Sequence, residues 1–259
     1  MLRIGKNPYL FCAMKKLFLI LGFVLSTSLA LQSQTQVYEL RVYQLNFFKS
    51  ADVLHNYFEK ALIPALNKQG AKSIGVFEET GESLPKKIYV LIPHQDIVSF
   101  QTSDSRLFDD PAYVNAAQDY LKTDQNSVPY TRITSSLIHS TKEFPELVVP
   151  NNAGLFELRI YESQNEAALK SKLKMFEQEF SIFADAGLNM VFYGKNITGD
   201  LMPSLTYMLA NKDLAENQAG WSKFISHPDW KRLTAIDEFK GNMSNITRVF
   251  LKPLGYSQL

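Results

Sequence analysis

Residues 37–45 read VYELRVYQL, and a near copy, LFELRIYES, occupies residues 155–163. Both stretches alternate apolar and polar side chains, which is typical of a β-strand with two chemically different faces. When the sequence is shifted on itself by 118 residues, later positions also coincide, including Phe58 with Phe176 and Tyr89 with Tyr207. Repeated coincidences at one offset indicate two copies of one module of about a hundred residues.

The periodicity of each copy predicts a strand, a helix, two strands, a second helix and a closing strand. In the first copy we expect strands at 37–44, 73–79, 86–92 and 132–140, a helix at 51–69 and a helix that starts at Asp110 and Pro111. In the second copy we expect strands at 155–161, 189–195, 204–210 and 245–252, and helices at 166–186 and 213–237. This order is that of the ferredoxin-like unit, in which both helices cover one face of an antiparallel sheet. Because the uncovered faces can pack together, the sequence predicts an α+β fold of two tandem ferredoxin-like β-α-β-β-α-β modules, packed as a pseudo-twofold dimeric α/β barrel.

The predicted modules span residues 35–142 and 154–259, and a linker with two prolines and a turn cluster joins them at 143–153. Residues 1–34 are interpreted as an upstream extension and a signal peptide, because two lysines precede the apolar run LFLILGFVLSTSLA. That run is shorter than the roughly twenty residues of a membrane-spanning helix. We therefore expect cleavage near Ala30 or Gln34, export to a bacterial periplasm or the extracellular space, and no membrane attachment afterwards. Cleavage would remove Cys12, the only cysteine, and with it any disulfide or thiolate chemistry.

Several motifs carry a resemblance to a known family. The YELRVY opening and its counterpart, the helix end ALIPALNKQG, and the proline-led aromatic motifs DPAY and HPDW resemble NIPSNAP proteins of the dimeric α/β-barrel superfamily. The resemblance covers about residues 36–253. It implies the barrel fold but no reaction and no catalytic residues, because the family has none established. Related barrels include cofactor-free monooxygenases, haem proteins and small binding proteins, so the fold alone selects no function.

The alternation of the two opening strands assigns their side chains to opposite faces. We expect one face to pack under the helices, and it carries Tyr38, Leu40, Val42, Phe156, Leu158 and Ile160. We expect the other face to line the barrel interior as a candidate ligand site, and it carries Glu39, Arg41, Tyr43, Glu157, Arg159 and Tyr161. Buried charges must be paired, so these residues form either an ion network across the pseudo-twofold axis or a cavity whose arginines bind an anion. A solvent-exposed face is the third alternative.

Other side chains give weaker indications. A net charge of +1 does not point to nucleic acid, and the absence of a phosphate loop, a nucleophile elbow or zinc-ligand spacing leads us to expect no metal and no cofactor. The four histidines, expected at the surface or as helix caps, are His55, His94, His139 and His227, with His139 the best of them for haem binding or proton transfer. We expect the segment KLKMFEQEF, residues 172–180, to be a solvated helix face. The aromatic stripe Trp221, Phe224 and Trp230 either packs on the sheet or lines an apolar substrate pocket.

Two functions fit these features. The first is an exported barrel that binds a small anionic or apolar ligand or mediates protein interactions, including association into a homo-oligomer. The second is a cofactor-independent monooxygenase-like or lyase-like enzyme that uses the barrel interior. An enclosed pocket of about 300 Å³ or more lined by Arg41, Tyr43 and their counterparts would favour a ligand site, whereas a filled interior would favour an interaction module.

Overall fold

The structure is a computed structural model that describes residues 35–259, so the predicted signal peptide and Cys12 lie outside the described residues. The strands of the first half are β1 (Val37–Leu45), β2 (Gly75–Glu79), β3 (Lys87–His94) and β4 (Tyr130–Ser140). Its helices are α1 (Asp52–Tyr57), α2 (Ile63–Lys68), α3 (Ile97–Phe108), α4 (Pro111–Ala116) and α5 (Gln118–Leu121), with a π-helical segment Phe58–Leu62 between α1 and α2 and a 3₁₀ turn at Gln125–Ser127.

The second half repeats the order strand, helical region, two strands, helical region and strand, with four helices where the first half has five. Its strands are β5 (Leu155–Glu162), β6 (Asn189–Thr198), β7 (Ser204–Asn211) and β8 (Asn245–Pro253). Its helices are α6 (Glu166–Glu177), α7 (Phe180–Ala186), α8 (Leu214–Ser226) and α9 (Pro228–Ala235), followed by a 3₁₀ turn at Asp237–Phe239. Within residues 35–259, no helix combines the length and the hydropathy needed to cross a membrane.

The eight strands form one closed antiparallel barrel in the order β1-β3-β2-β8-β5-β7-β6-β4. Each half contributes four neighbouring strands, in the orders β4-β1-β3-β2 and β8-β5-β7-β6. Pairing of β2 with β8 and of β4 with β6 joins the halves and leaves the barrel without a free edge. The predicted α+β fold, with an antiparallel barrel and flanking helices, is confirmed.

The barrel interior is predominantly apolar, and the predicted assignment of the two strand faces is wrong. Tyr38 and Leu40 of β1 and Phe156 and Leu158 of β5 are buried in one cluster that both halves share. The rings of Phe77 and Phe156 approach to 4.8 Å inside it. The interior is enclosed by strands on all sides and is therefore the place where an unpaired charge would cost most. The Glu-Arg-Tyr faces of both opening strands point outward, toward the helices.

Two predicted helices of the second half are each divided. The predicted helix 213–237 stops at Ser226, because Pro228 begins α9 and holds His227 in an extended conformation with φ −61° and ψ 135°. The predicted helix 166–186 is interrupted between Glu177 and Phe180. In the first half, α3 was not expected. The divided helices of the second half allow four short segments to follow the curved outside of the barrel.

Substitution in the shared interior tests the corrected assignment of the strand faces. Leu158→Ala should lower the free energy of unfolding by about 2–5 kcal/mol, because a buried leucine leaves both lost transfer energy and a cavity. Leu84→Ala is the matched control, since Leu84 is 61% exposed, and it should change stability by no more than about 0.5 kcal/mol. Urea unfolding measures both values. Equal effects of the two substitutions would contradict an interior position for Leu158.

Candidate functional site

Glu157 is a fully buried carboxylate at the centre of a polar layer between β5 and α8. Its Oε1 accepts a hydrogen bond of 2.8 Å from Arg159 Nη1. Its Oε2 accepts two hydrogen bonds of 2.7 Å, one from Asn217 Nδ2 and one from Trp221 Nε1. Asn217 and Trp221 are four residues apart and therefore share one face of α8. The carboxylate is thus satisfied, and it ties the helix to the strand.

Arg159 extends from β5 beside two aromatic rings. Its Cζ lies 4.3 Å from the centre of the Trp221 ring and 5.4 Å from that of Tyr161. Burial disfavours the cation, but the surrounding Tyr207, Tyr161 and Glu157 outweigh burial and raise the pKa of Arg159. Its Nε is buried and has no hydrogen-bond partner among residues 35–259. A buried donor without an acceptor is unusual in a folded protein and requires an explanation, such as a bound water or ion.

A cleft of about 680 Å³ opens next to Arg159, between the helices of the second half and the outer face of β5 and β8. This volume falls within the roughly 300–1,000 Å³ of small-molecule sites. Its aromatic wall is formed by Trp221, Phe224, Trp230 and Phe250. Its mouth is lined by exposed apolar side chains, namely Leu214, Ile225, Met243 and Ile246. The cleft therefore combines a cationic floor with an apolar wall and rim.

Arg248 supplies a second guanidinium to the same cleft. It lies directly opposite Arg159 in the β5–β8 register, and its side chain also lines the cleft. Like charges at opposed positions of neighbouring strands are unfavourable. Among the described residues, no carboxylate comes within ion-pair distance of Arg248. The Arg248 Cζ lies 5.1 Å from the centre of the Phe250 ring, a cation–π contact. The cleft thus has an exposed guanidinium that no carboxylate of the described residues neutralises.

Lys172 and Glu179 form a buried ion pair that also lines the cleft. Lys172 Nζ lies 2.7 Å from Glu179 Oε1, and the two side chains are only 1% and 3% exposed. Burial raises the pKa of Glu179 although Lys172 and Arg159 oppose it. The expectation that residues 172–180 form a solvated face is wrong for these two. Lys172 lies four residues before the buried Phe176 and Glu179 three residues after it, so both side chains are on the helix face that packs on the sheet.

The first half carries the matching charged pair in a different setting. Arg41 donates from Nε to Glu39 Oε1 at 2.7 Å and from Nη2 to Oε2 at 2.9 Å, and Ser135 Oγ donates to Oε1 at 2.8 Å. His94 Nε2 lies 3.6 Å from Glu39 Oε2. Each Glu-Arg pair forms within its own strand, so the predicted ion network across the pseudo-twofold axis is wrong. The two polar faces point away from each other, on opposite outer sides of the barrel.

Tyrosines fill the helix–sheet layer of the first half, where the second half has its cleft. The rings of Tyr57 and Tyr120 stack with centres 3.8 Å apart. The hydroxyl oxygens of Tyr57 and Tyr113 lie 3.1 Å apart, and those of Tyr120 and Tyr130 lie 3.2 Å apart. Tyr130 packs on Tyr43 with ring centres 5.5 Å apart. In the first half, the space equivalent to the cleft is therefore filled by protein side chains.

The structure does not bring the six predicted site residues together. Arg159 and Tyr161 line the cleft, and Glu157 holds Arg159 in place. The other three, Glu39, Arg41 and Tyr43, lie in the first half, and a ligand-binding role for any of the six stays a prediction. The predictions missed Lys172, Glu179, Asn217 and Arg248, which the cleft brings close to Arg159. A difference between the two copies could have indicated the first pair, since shifting by 118 residues places Lys172 on Leu54 and Glu179 on Ala61.

The histidines have different surroundings. His227 caps α9, because its Nδ1 accepts a hydrogen bond of 3.2 Å from the Asp229 amide, which confirms a capping role. His94 is only 3% exposed, so its expected surface position is wrong. His139 is exposed and contacts Thr35 Oγ1 at 3.0 Å. In the part of the chain that the structure describes, no group of three or more His, Cys, Asp or Glu side chains is placed to hold a metal.

Glu39 should make part of the stability dependent on pH. Burial opposes its ionisation, but His94, Arg41 and Ser135 outweigh burial and lower the pKa of Glu39 from 4.5 to about 2. Ionised Glu39 therefore stabilises the fold above about pH 4.5, and this contribution is lost as the pH falls toward 2. Between pH 5 and pH 2 the free energy of unfolding should fall by about 3 kcal/mol more in the wild type than in Glu39→Gln.

Denaturant unfolding across this pH range measures the difference. Glu82→Gln is the control, because Glu82 is exposed and forms no ion pair with any described residue. It should retain the pH dependence of the wild type. The same dependence in Glu39→Gln as in the wild type would show that Glu39 does not carry this stabilisation.

Comparison with solved structures supports the fold. A protein from Lactobacillus acidophilus NCFM, proposed to be a monooxygenase, is 12% identical with a TM-score of 0.57, and the match covers 85% of this chain and 94% of that one. A second protein proposed to be a monooxygenase, from Fusobacterium nucleatum subsp. nucleatum ATCC 25586, is 12% identical with a TM-score of 0.53, covering 85% and 93%. At this identity, the likeness shows the fold alone.

The family comparison concerns the half that holds the cleft. A NIPSNAP family protein of unknown function from Agrobacterium tumefaciens strain C58 is 16% identical with a TM-score of 0.35, covering 40% of this chain and 91% of that one. No curated protein matches this sequence. The NIPSNAP family model matches residues 156–258, which confirms the resemblance over that range. The match to the NIPSNAP family model thus lies in the half of the chain that holds the cleft.

Proposed function

We propose that this protein binds a small amphipathic anion in the cleft of its second half. The observation that carries the proposal is the opposed pair Arg159 and Arg248, which places two guanidinium groups in one cleft. One of them has a buried Nε without an acceptor, and the other has no carboxylate partner within residues 35–259. Guanidinium groups suit carboxylates, to which they donate in a bidentate manner. The carboxylate of a ligand in the cleft would neutralise both guanidinium groups.

The apolar rim indicates the rest of the ligand. The mouth of the cleft is formed by the exposed apolar side chains of Leu214, Ile225, Met243 and Ile246. A ligand that covers these side chains removes their apolar surface from water, which is favourable. An apolar tail that leaves the arginines along the aromatic wall would cover these side chains. The ligand we propose therefore has an acidic head group and an extended apolar part.

The architecture we infer behind this function is a duplication. The shared order of strands and helical regions, the matching strand orders and the 118-residue offset all favour two ferredoxin-like modules, 35–142 and 154–259, related by a pseudo-twofold axis. The second module is then the ligand-binding one, and the first supports it by closing the barrel. We further propose export from a bacterial cell, on the composition of residues 15–34.

A monooxygenase-like or lyase-like enzyme is the second candidate function. The observation that favours it is the buried pair Lys172 and Glu179 in the wall of the cleft, because perturbed carboxylates cluster at catalytic sites. The two structures with the same overall fold are proposed to be monooxygenases. Both functions use the same cleft, so ligand binding is the first property to measure.

Binding of octanoate tests the proposed function. The chain has two tryptophans, Trp221 and Trp230, and both line the cleft, so intrinsic fluorescence reports its occupancy. Octanoate should change this fluorescence to saturation, and octanamide, which has the same tail without the charge, should bind at least about tenfold more weakly. Equal affinity for the two compounds, or no saturable change with octanoate, would refute an anion site.

Substitution of Arg248 locates the site. Arg248→Gln should weaken octanoate binding by roughly 10–100-fold, because it removes a charge-assisted interaction worth about 1.5–3 kcal/mol, and it should leave stability nearly unchanged. Arg132→Gln is the matched control, since Arg132 is an exposed strand arginine of the first half, and its affinity should equal that of the wild type. Equal weakening by both substitutions would point to general charge attraction rather than to the cleft.

A further inference from the structure

The two halves differ at a pair of equivalent buried positions. In the second half, Phe176 packs against Tyr161, with Lys172 four residues before it and Glu179 three residues after it. In the first half, Phe58 packs against Tyr43, and the residues at the same spacings are Leu54 and Ala61. All four of these side chains are buried. One half thus has an ion pair where the other has two apolar residues.

This difference shows that the fold does not need the ion pair. The first half forms the same helix–sheet layer with Leu54 and Ala61, which are 0% and 2% exposed. A buried ion pair is on average no more stabilising than well-packed apolar residues of similar volume, since desolvation offsets the attraction between the charges. Lys172 and Glu179 therefore need another explanation, and they occur in the half that has the cleft.

The pair faces the cleft with complementary chemistry. Lys172 Nζ donates to Glu179 Oε1, and Glu179 Oε2 accepts no hydrogen bond from the described residues. Lys172 Nζ lies 5.3 Å from the centre of the Tyr161 ring, which Arg159 Cζ approaches to 5.4 Å. A proton donor and a proton acceptor thus lie side by side, near the cation that we propose holds the head group. A carbonyl oxygen and a hydrogen on the neighbouring carbon are spaced to meet two such groups.

We propose that Lys172 and Glu179 are an acid–base pair that enolises a carbonyl compound bound in the cleft. The inference rests on the proposed binding of an anion at Arg159 and Arg248, and the substrate class is a keto acid with an apolar tail. A carbon–hydrogen bond next to the carbonyl breaks, and its proton passes to the Glu179 carboxylate. The electron pair of that bond forms the carbon–carbon double bond, and the carbonyl π pair moves onto oxygen. The Lys172 ammonium stabilises the resulting enolate, and return of a proton from Glu179 completes the exchange without any oxidant.

Two further features suit this role. Burial raises the pKa of Glu179, which makes its carboxylate a stronger base than an exposed glutamate. The aromatic surroundings, which include the Phe176 ring 5.3 Å from Lys172 Nζ, keep water away and strengthen the interaction between ammonium and enolate.

Hydrogen exchange of α-ketooctanoate tests the proposal. In deuterium oxide the protein should accelerate loss of the proton NMR signal of the carbon next to the ketone, by roughly 100-fold or more over buffer, as expected for a positioned general base. The double substitution Lys172→Leu with Glu179→Ala copies the first half. It should reduce the exchange rate to that of buffer while leaving the melting temperature equal or higher.

The same samples separate the possible outcomes. If the wild type binds octanoate but does not accelerate exchange, the acid–base inference is wrong and the proposed ligand site stands. If the wild type does not bind octanoate, the proposed ligand site and the acid–base inference are both wrong. Exchange in the double variant at the wild-type rate would also overturn the inference. Glu179→Gln gives a second test should the double variant fold poorly, because glutamine keeps the shape and can still accept from Lys172 but cannot take up the proton.

Discussion

The buried carboxylate of Glu157 is the interaction on which the site in the second half depends. It accepts hydrogen bonds from Arg159 on its own strand and from Asn217 and Trp221 on α8, so one anion fixes the strand, the helix and the indole that faces the guanidinium. A charge without these partners could not remain at this depth. The cleft is therefore built on a satisfied ion pair whose guanidinium still has an unused donor.

The contrast between the halves explains why the repeated strand borders a cleft at Arg159 but a filled layer at Arg41. Glu39 and Arg41 repeat the pair, but Ser135 stands opposite Arg41 where Arg248 stands opposite Arg159. Tyrosines from the helices and from β4 then occupy the space above the pair in the first half. The shared apolar interior holds the halves together, so the outer layers of the barrel can differ without loss of the fold. The duplication that we infer would have left one layer free to acquire chemistry.

Much of the fold follows from local patterns, whereas the site depends on where the strand faces point. Alternation along 37–45 and 155–163 identifies both strands and separates Glu157 from Leu158, but period alone does not say which face meets the helices. The enclosed interior decides this, because it is drier than the helix-covered face and takes the apolar side chains. Lys172 and Glu179 were misassigned for a related reason, since charged residues at apolar-stripe positions are buried only when a specific partner is present. Arg248 becomes informative once the register places it opposite Arg159.

A crystal structure of the protein with bound octanoate tests the central claim most directly. We predict the carboxylate within hydrogen-bond distance of the guanidinium groups of Arg159 and Arg248, with the tail along Trp221 and toward Ile225 at the mouth. Octanoate bound elsewhere, in the barrel interior or over the tyrosines of the first half, would contradict it.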